Sequence, residues 1–188
     1  MLTEYDAVMR ECLQEILNLQ LSDDQQHQSS LPVKSAGLGI RRATDLALPA
    51  FLASAHGSNS GVLRLLDGLA LDEEYSEVTA GEDLWKDLFE EDFDSPFPED
   101  KTLQAEWDSI LYNHIYNNFL SRETMPAERA RLLAIASEEL SNWLNAIPVP
   151  DLELKLDDQS LRLAVGLRLG CLIVAPHQCL CGQLVHPL

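Results

Sequence analysis

An acidic segment in the middle of the chain constrains the fold most. Residues 67–100 hold fourteen Asp and Glu side chains and a single Lys. Carboxylates at this density resist burial in an apolar core, so the segment is predicted to be a solvated, partly disordered linker. The segment also contains five large apolar side chains: Trp85, Leu88, Phe89, Phe93 and Phe97. They leave one alternative open, in which a helical turn of the segment docks on the body of the protein or on a partner.

Net charge limits what the whole surface can bind. The chain has 188 residues, enough for one domain or one helical body with tails, and its formal net charge is -18. Phosphate groups are bound by Lys and Arg, so this surface as a whole is not suited to DNA, RNA or anionic lipid. Any contact with nucleic acid must be local.

Helical periodicity outside the acidic segment indicates a mainly α protein. In the first helix, Thr3 and Asp6 are spaced as a capping box. Apolar residues then recur at helical spacing and are predicted to face inward, with Cys12 as a buried free thiol: Tyr5, Met9, Cys12, Ile16 and Leu19. A short helical turn is predicted near Asp23.

Further helices are predicted on both sides of the acidic segment. Before the segment, helices are predicted over about 44–55 and 60–68. After it, the predicted helices run from Leu103 to Ile115, with one apolar face, and from Thr124 to Ile147, and a last helix is capped by Asp157 or Asp158. The prediction is an irregular helical bundle with an acidic, partly disordered segment and little or no strand. Its regions are 1–66, 67–100, 101–175 and 176–188.

A basic, glycine-punctuated turn lies ahead of an apolar helix in "LPVKSAGLGIRRATDLALPAFLASA" (Leu31–Ala55). Lys34, Arg41 and Arg42 concentrate positive charge there, and Gly37 and Gly39 permit backbone angles that other residues avoid. Two interpretations stay open. The three cations contact phosphate groups, or they form a solvated basic rim that pairs with the acidic segment.

The tail "PHQCLCGQLVHPL" carries the one cluster of metal-type ligands in the sequence. His177, Cys179, Cys181 and His186 place thiol and imidazole donors within ten residues, and zinc prefers such donors in a tetrahedron. Cys-x-Cys is tighter than the usual Cys-x2-Cys spacing. The alternatives are therefore a zinc site and a tail without metal.

Other functional signatures are missing from the sequence. No Ser-His-Asp or Cys-His arrangement has supporting context, and there is no phosphate-binding loop, so the isolated chain is not expected to be an enzyme. The first residues show no signal peptide, and the longest apolar stretches are too short to span a bilayer. The expected location is intracellular, in cytoplasm or nucleus, without a membrane partner.

Three stretches in order resemble a known family. "SSLPVKSAGLGIRRATDLALPAFLASA" (Ser29–Ala55) resembles the thumb segment after the palm in reverse transcriptases of non-LTR (LINE-like) retrotransposons. "NWLNAIPVPDLELKLDDQSLRLAVGLRLG" (Asn142–Gly170) resembles the linker downstream of that thumb, and "PHQCLCG" (Pro176–Gly182) resembles the start of the family's Cys/His zinc knuckle. With the spacing between them included, the three stretches extend over most of the chain outside the acidic segment.

The resemblance implies a division of the chain and a role for its basic turn. Region 1–66 would be thumb-like, 67–100 an acidic linker, 101–175 a helical linker region and 176–188 a truncated Cys/His tail. In the family the thumb packs against the template–primer duplex, so Lys34, Arg41 and Arg42 would contact phosphates. Cys179 and Cys181 would belong to the zinc knuckle, with His177 as a further candidate ligand.

The departures from the family pattern are informative as well. The family's glycine pair is Ala36-Gly37 here, and the palm, with its Tyr-x-Asp-Asp carboxylates, would lie upstream of Met1. The expectation is a non-catalytic fragment that contacts RNA or DNA through the thumb-like turn. The alternative is an acidic helical protein–protein interaction module that docks on a basic protein through Asp67–Asp100, with no nucleic-acid role.

Overall fold

The computed structural model describes residues 1–65, 76–89, 96–149, 151, 155–173 and 177–185, with the backbone alone at 59, 60, 63, 76, 177 and 185. Its α-helices are α1 (Leu2–Leu17), α2 (Asp23–Ser30), α3 (Ala43–Leu65), α4 (Ser76–Asp87), α5 (Gln104–Arg122), α6 (Pro126–Ile135), α7 (Glu138–Ser141) and α8 (Asp158–Arg168). Two 3-10 helices (Val33–Ser35, Asn142–Asn145) and an antiparallel pair, β1 (His177–Gln178) and β2 (Leu184–Val185), complete it. The mainly α prediction is confirmed.

The chain divides into two compact units. The first comprises Met1–Arg41 with Phe119–Leu188, and the second comprises Arg42–Asn118. These boundaries differ from the predicted regions because the N-terminal and C-terminal helices share one core. Nine basic and fourteen acidic side chains give the first unit a formal charge of -5, whereas four basic and seventeen acidic ones give the second -13.

The first unit is built on a core between α1 and α8. Its buried residues are Leu13, Leu17, Leu21, Val165, Leu169 and Cys171. Leu38 and Ile40 from the glycine turn also pack against this core. The Asp157 carboxylate, one of the two caps that the sequence predicts, caps α8 by accepting hydrogen bonds from the backbone amides of Gln159 (3.0 Å) and Ser160 (2.9 Å).

Helix α1 buries a different face from the predicted one. Asp6, Leu13 and Leu17 are buried, whereas Cys12 is exposed, so the prediction of a buried thiol is wrong. The predicted capping box is also absent, because α1 begins at Leu2 with no side-chain cap. Apolar residues occupy two faces of this helix, and the face that continues into Leu21 packs against α8. Local periodicity does not distinguish the two faces.

The second unit has an aromatic core that includes part of the acidic segment. Trp85 of α4 and Trp107 of α5 are both fully buried, with ring centroids 5.0 Å apart at 82°. Phe89 lies 5.1 Å from Trp85, and the Trp107 indole donates to the carbonyl of Lys101 at 2.9 Å. Trp85 and Phe89 therefore anchor residues 76–89 in this core, although most other side chains of the segment are exposed, which favours the docking alternative. Phe93 lies outside the described residues.

Two helix boundaries also differ from prediction. Helix α3 runs without interruption to Leu65, where two helices are predicted. The helix predicted from Thr124 to Ile147 is instead α6, α7 and a 3-10 turn, because Ser137 caps a new helix by accepting from the amide of Leu140. Pro126 occupies the first turn of α6 as predicted.

Glu82 is the centre of a cluster of ionisable side chains in the second unit, whose stability should therefore depend on pH. The Oε1 atom of Glu82 lies 2.6 Å from Lys101 Nζ and 3.1 Å from His56 Nε2. The Lys101 hydrogen bond lowers the pKa of Glu82 from its reference value of 4.5. The pKa of Glu82 is thus lower in the folded state than in the unfolded state. The ionised carboxylate therefore stabilises the fold when the pH is above the unfolded-state pKa, and this stabilisation is lost as the pH falls through the lowered folded-state pKa.

We expect Glu82→Gln to lower the free energy of unfolding by about 1 kcal/mol at pH 7, because the amide keeps the shape and loses the charge. The difference from wild type should vanish as the pH falls below 4.5. Urea unfolding followed by Trp fluorescence measures this. The exposed Glu99→Gln is the matched control, expected to change less than about 0.5 kcal/mol. A Glu82→Gln effect that persists at acid pH would contradict the assignment.

Candidate nucleic-acid interface

The predicted basic turn is a closed loop that folds back on the end of α2. The amides of Leu38 and Ile40 both donate to the carbonyl of Ser29, at 3.1 and 3.2 Å, and the amide of Gly39 donates to the carbonyl of Leu31 at 2.8 Å. Leu31 is fully buried beneath the loop. The segment therefore has a fixed backbone conformation.

Ala36 and Gly37 are subject to different constraints. Ala36 adopts a left-handed conformation (φ 67°) and is fully buried. An L-residue there costs about 1–2 kcal/mol relative to a right-handed conformation. At Gly37 the constraint is space, since an added Cβ would lie 1.9 Å from the carbonyl oxygen of Leu31. A glycine is required at the second position, and the first tolerates alanine under strain.

A buried arginine of α8 holds the turn in place. Arg168 is 3% exposed, and its Nε donates to the carbonyl of Gly37 at 3.0 Å while its Nη2 donates to the carbonyl of Val33 at 2.7 Å. The Ser141 hydroxyl accepts from both terminal nitrogens, at 3.3 and 3.4 Å. Burial lowers the pKa of Arg168, and the nearby Arg131 charge adds to this shift. Within the described residues, Arg168 forms no ion pair with a carboxylate.

Gln28 and Arg131 extend this network. The Gln28 amide donates to the carbonyl of Ala36 at 2.9 Å and to the carbonyl of Arg168 at 3.1 Å. Arg131 donates to the carbonyl of Arg168 and to Glu128, at 2.8 Å for the latter. Four elements, α2, the turn, α6 and α8, are thereby linked through buried polar groups. Buried networks that are fully hydrogen-bonded make one arrangement rigid.

The three predicted phosphate contacts have different environments. Lys34 lies in the 3-10 helix Val33–Ser35 and is exposed, and Arg41 at the end of the turn is exposed too. Arg42 belongs to the second unit and is half-buried, with Nη1 3.7 Å from the carboxylate of Asp45. Lys34 and Arg41 are thus exposed on the first unit, and Arg42 lies near a carboxylate in the second.

The surrounding sequence suits an anion. Between Asp24 and Asp45 the chain has no carboxylate over twenty residues. The backbone on both sides of Lys34 is fixed through the carbonyls of Val33 and Ala36. A rigid loop that carries exposed cations can hold a phosphate with little loss of conformational entropy. Such contacts position a nucleic-acid backbone but carry no base specificity.

The Cys/His tail forms a hairpin with both thiols at its tip. The Cys179 amide donates to the carbonyl of Gln183 at 2.8 Å, and Gly182 takes a positive φ of 85° at the turn. Hydrogen bonds from the Cys181 backbone and thiol lower the pKa of Cys179. The His177 side chain and His186 lie outside the described groups. No cluster of three or more metal-type ligands occurs among the described side chains, so zinc binding by Cys179, Cys181 and His177 stays a prediction.

Comparison with known proteins identifies no relative. Neither a protein-family model, nor a curated protein, nor a solved structure matches this chain. In the part of the chain that the structure describes, no helix is both long and apolar enough to cross a bilayer.

The sequence predicts the turn but not the side chains that hold it in place. Gln28, Arg131 and Arg168 all lie far from the turn in the chain or on another element. The one available signal was Arg168 itself, which interrupts the apolar stretch "LAVGLRLG". A charge at a core position of a helix requires acceptors from elsewhere in the fold.

Gly37→Ala is expected to destabilise the first unit by about 3 kcal/mol or more, because the methyl group would overlap backbone rather than a mobile side chain. Gly61→Ala in α3 is the control, since nothing lies within 4 Å of its added Cβ. A helical Gly→Ala change should stabilise by about 0.5–1 kcal/mol. Denaturant unfolding measures both, and equal effects would contradict the proposed close approach.

Arg168→Lys is expected to cost about 2 kcal/mol or more, because lysine keeps the charge but leaves at least one buried carbonyl without its donor. The exposed Arg162, which donates to the carbonyl of Ile16 at 2.9 Å, supplies the control Arg162→Lys. Its cost should stay below about 1 kcal/mol. Hydrogen exchange at the amides of Leu38 and Ile40 reports loosening of the turn. Unchanged protection in Arg168→Lys would show that the turn does not depend on this guanidinium.

Proposed function

We propose that this chain is a non-catalytic thumb and linker part related to non-LTR retrotransposon reverse transcriptases, and that its first unit contacts the phosphate backbone of a template–primer duplex. One observation carries the proposal. The glycine turn that prompted the resemblance is a rigid loop, and it presents Lys34 and Arg41 at the surface. The linker-like stretch supplies Arg168, which fixes that loop.

The proposed contact would position the nucleic-acid backbone without reading its bases, and it would be weak. Lys34 and Arg41, both exposed, would contact phosphates, and Arg42, which lies 3.7 Å from the carboxylate of Asp45, would add to the contact. The first unit has a net charge of -5, so it lacks the broad basic surface of an independent nucleic-acid-binding domain. Affinity would come from these local ion pairs and would fall as salt rises.

A second function is favoured by the charge of the other unit. Arg42–Asn118 carries a net charge of -13, and its helix α4 places Glu77, Asp83 and Asp87 at the surface while Trp85 anchors it internally. An ordered acidic helix is suited to docking on a basic protein. In this second proposal the acidic unit is a protein–protein interaction module, and the basic turn has no ligand.

A salt titration of duplex binding tests the first proposal. We expect the full chain to bind an RNA–DNA primer–template at roughly 0.05 M salt and to lose affinity as salt increases. Lys34→Gln with Arg41→Gln should weaken binding and reduce the slope of log K against log salt by about 2, one unit for each phosphate contact. Fluorescence anisotropy with a labelled duplex measures both quantities.

The matched control is Arg64→Gln with Lys155→Gln. Both side chains are exposed, and their replacement changes the net charge by the same two units. Equal weakening by the two double variants would show that binding depends only on net charge, which contradicts a defined interface. No binding of the wild-type chain at about 0.05 M salt overturns the proposal and favours the acidic interaction module.

A further inference from the structure

Helix α1 has an apolar stripe that the described residues leave exposed. Tyr5, Val8, Cys12 and Ile16 recur at intervals of three and four residues, so they lie on one face. Tyr5 and Val8 are each 55% exposed and Ile16 is 62% exposed, while the core contact of α1 runs through Leu13 and Leu17 on another face. The stripe spans about three helical turns, roughly 16 Å.

A row of carboxylates borders this stripe. Glu11 and Glu15 lie one helical turn apart and are exposed, and within the described residues neither forms an ion pair. Like charges four residues apart destabilise a helix, and a carboxylate in the last turn opposes the helix dipole. Glu15 is in the last turn of α1, which contains no basic residue. Both carboxylates are therefore unfavourable for the helix that carries them.

A cleft adjoins the same edge of α1. It has a volume of about 390 Å³ and is lined by Glu11, Gln14, Glu15, Asn18, Leu19 and Gln20. Two carboxylates and three side-chain amides face it, and the carbonyl end of α1 adds partial negative charge. A lysine or arginine side chain would be complementary to this lining, because it brings both charge and multiple hydrogen-bond donors.

We propose that the α1 stripe and its cleft bind a basic amphipathic helix of a partner protein. The partner's apolar face would cover Tyr5, Val8 and Ile16, and a Lys or Arg at its edge would enter the cleft between Glu11 and Glu15. This is the helix-on-helix mode in which apolar anchors repeat at three- and four-residue spacing. The surface belongs to the first unit and is distinct from the basic turn and from the acidic helix α4.

A second copy of this chain fits the stripe less well than a basic partner. In a two-fold antiparallel pairing of α1 helices, the Glu11 and Glu15 rows of both copies meet along one edge. Like charges placed opposite each other oppose association. The formal charge of -18 on each chain adds to that repulsion.

The experiment titrates the full chain with a synthetic helical peptide of about 18 residues that has Leu along one face and Lys along one edge. We expect saturable binding at 150 mM salt, measured by calorimetry. Val8→Ser with Ile16→Ser should weaken it about tenfold, since two apolar anchors are lost. The control pair of exposed apolar residues, Leu140→Ser with Ile147→Ser, should change the Kd less than about twofold.

Removing the two carboxylates should affect peptide binding and protein stability in different directions. Glu11→Gln with Glu15→Gln should weaken peptide binding about tenfold and leave thermal stability unchanged or higher, because the charges oppose α1 itself. Glu138→Gln with Glu139→Gln removes two other exposed carboxylates and should leave the Kd within about twofold. Equal effects of both pairs, no binding of the peptide, or a dimer in sedimentation that Val8→Ser with Ile16→Ser dissociates would each overturn the proposal.

Discussion

The arrangement of the first unit depends on one buried guanidinium. Transferring a charge such as that of Arg168 out of water costs several kcal/mol unless polar groups surround it. Here the acceptors are the carbonyls of Val33 and Gly37 and the hydroxyl of Ser141. The turn must hold those carbonyls in position for the charge to be buried, and α8 needs the turn for its own packing. The strained conformation of Ala36 is sustained by this mutual dependence.

This dependence separates the basic residues of the first unit into two classes. Arg131 and Arg168 donate mainly inward, to carbonyls and to neighbours of the same unit. Lys34 and Arg41 are exposed on the loop that those arginines stabilise. A count of basic residues therefore overstates the surface available to an anion. The interior cations contribute to a phosphate site only by keeping the exposed ones in place.

Local signals in the sequence predict the mainly α class and several helix starts, whereas long-range packing determines which side chains are buried. The Asp157 cap and Pro126 fix helix starts through groups within four residues, so both could be read directly. The face that α1 buries depends on α8, almost 150 residues away, and two apolar faces made the choice ambiguous. The carboxylates around Trp85 dominate its local composition and favour a solvated segment, whereas Trp107 supplies it with an aromatic partner. The Arg168 network had the same non-local origin.

Screening explains how a basic turn and a strongly acidic chain are compatible. At physiological ionic strength charges beyond about 8 Å are largely screened, so a phosphate at Lys34 is affected chiefly by its immediate surroundings. Along the chain, Lys34 lies in a run of twenty residues without a carboxylate. At about 0.01 M salt the screening length approaches 30 Å, and the net charge of -18 then opposes the binding of an anion over a longer range. Lowering salt therefore strengthens the local attraction and extends the repulsion together, so the difference between turn variants and charge-matched controls is more informative than absolute affinity.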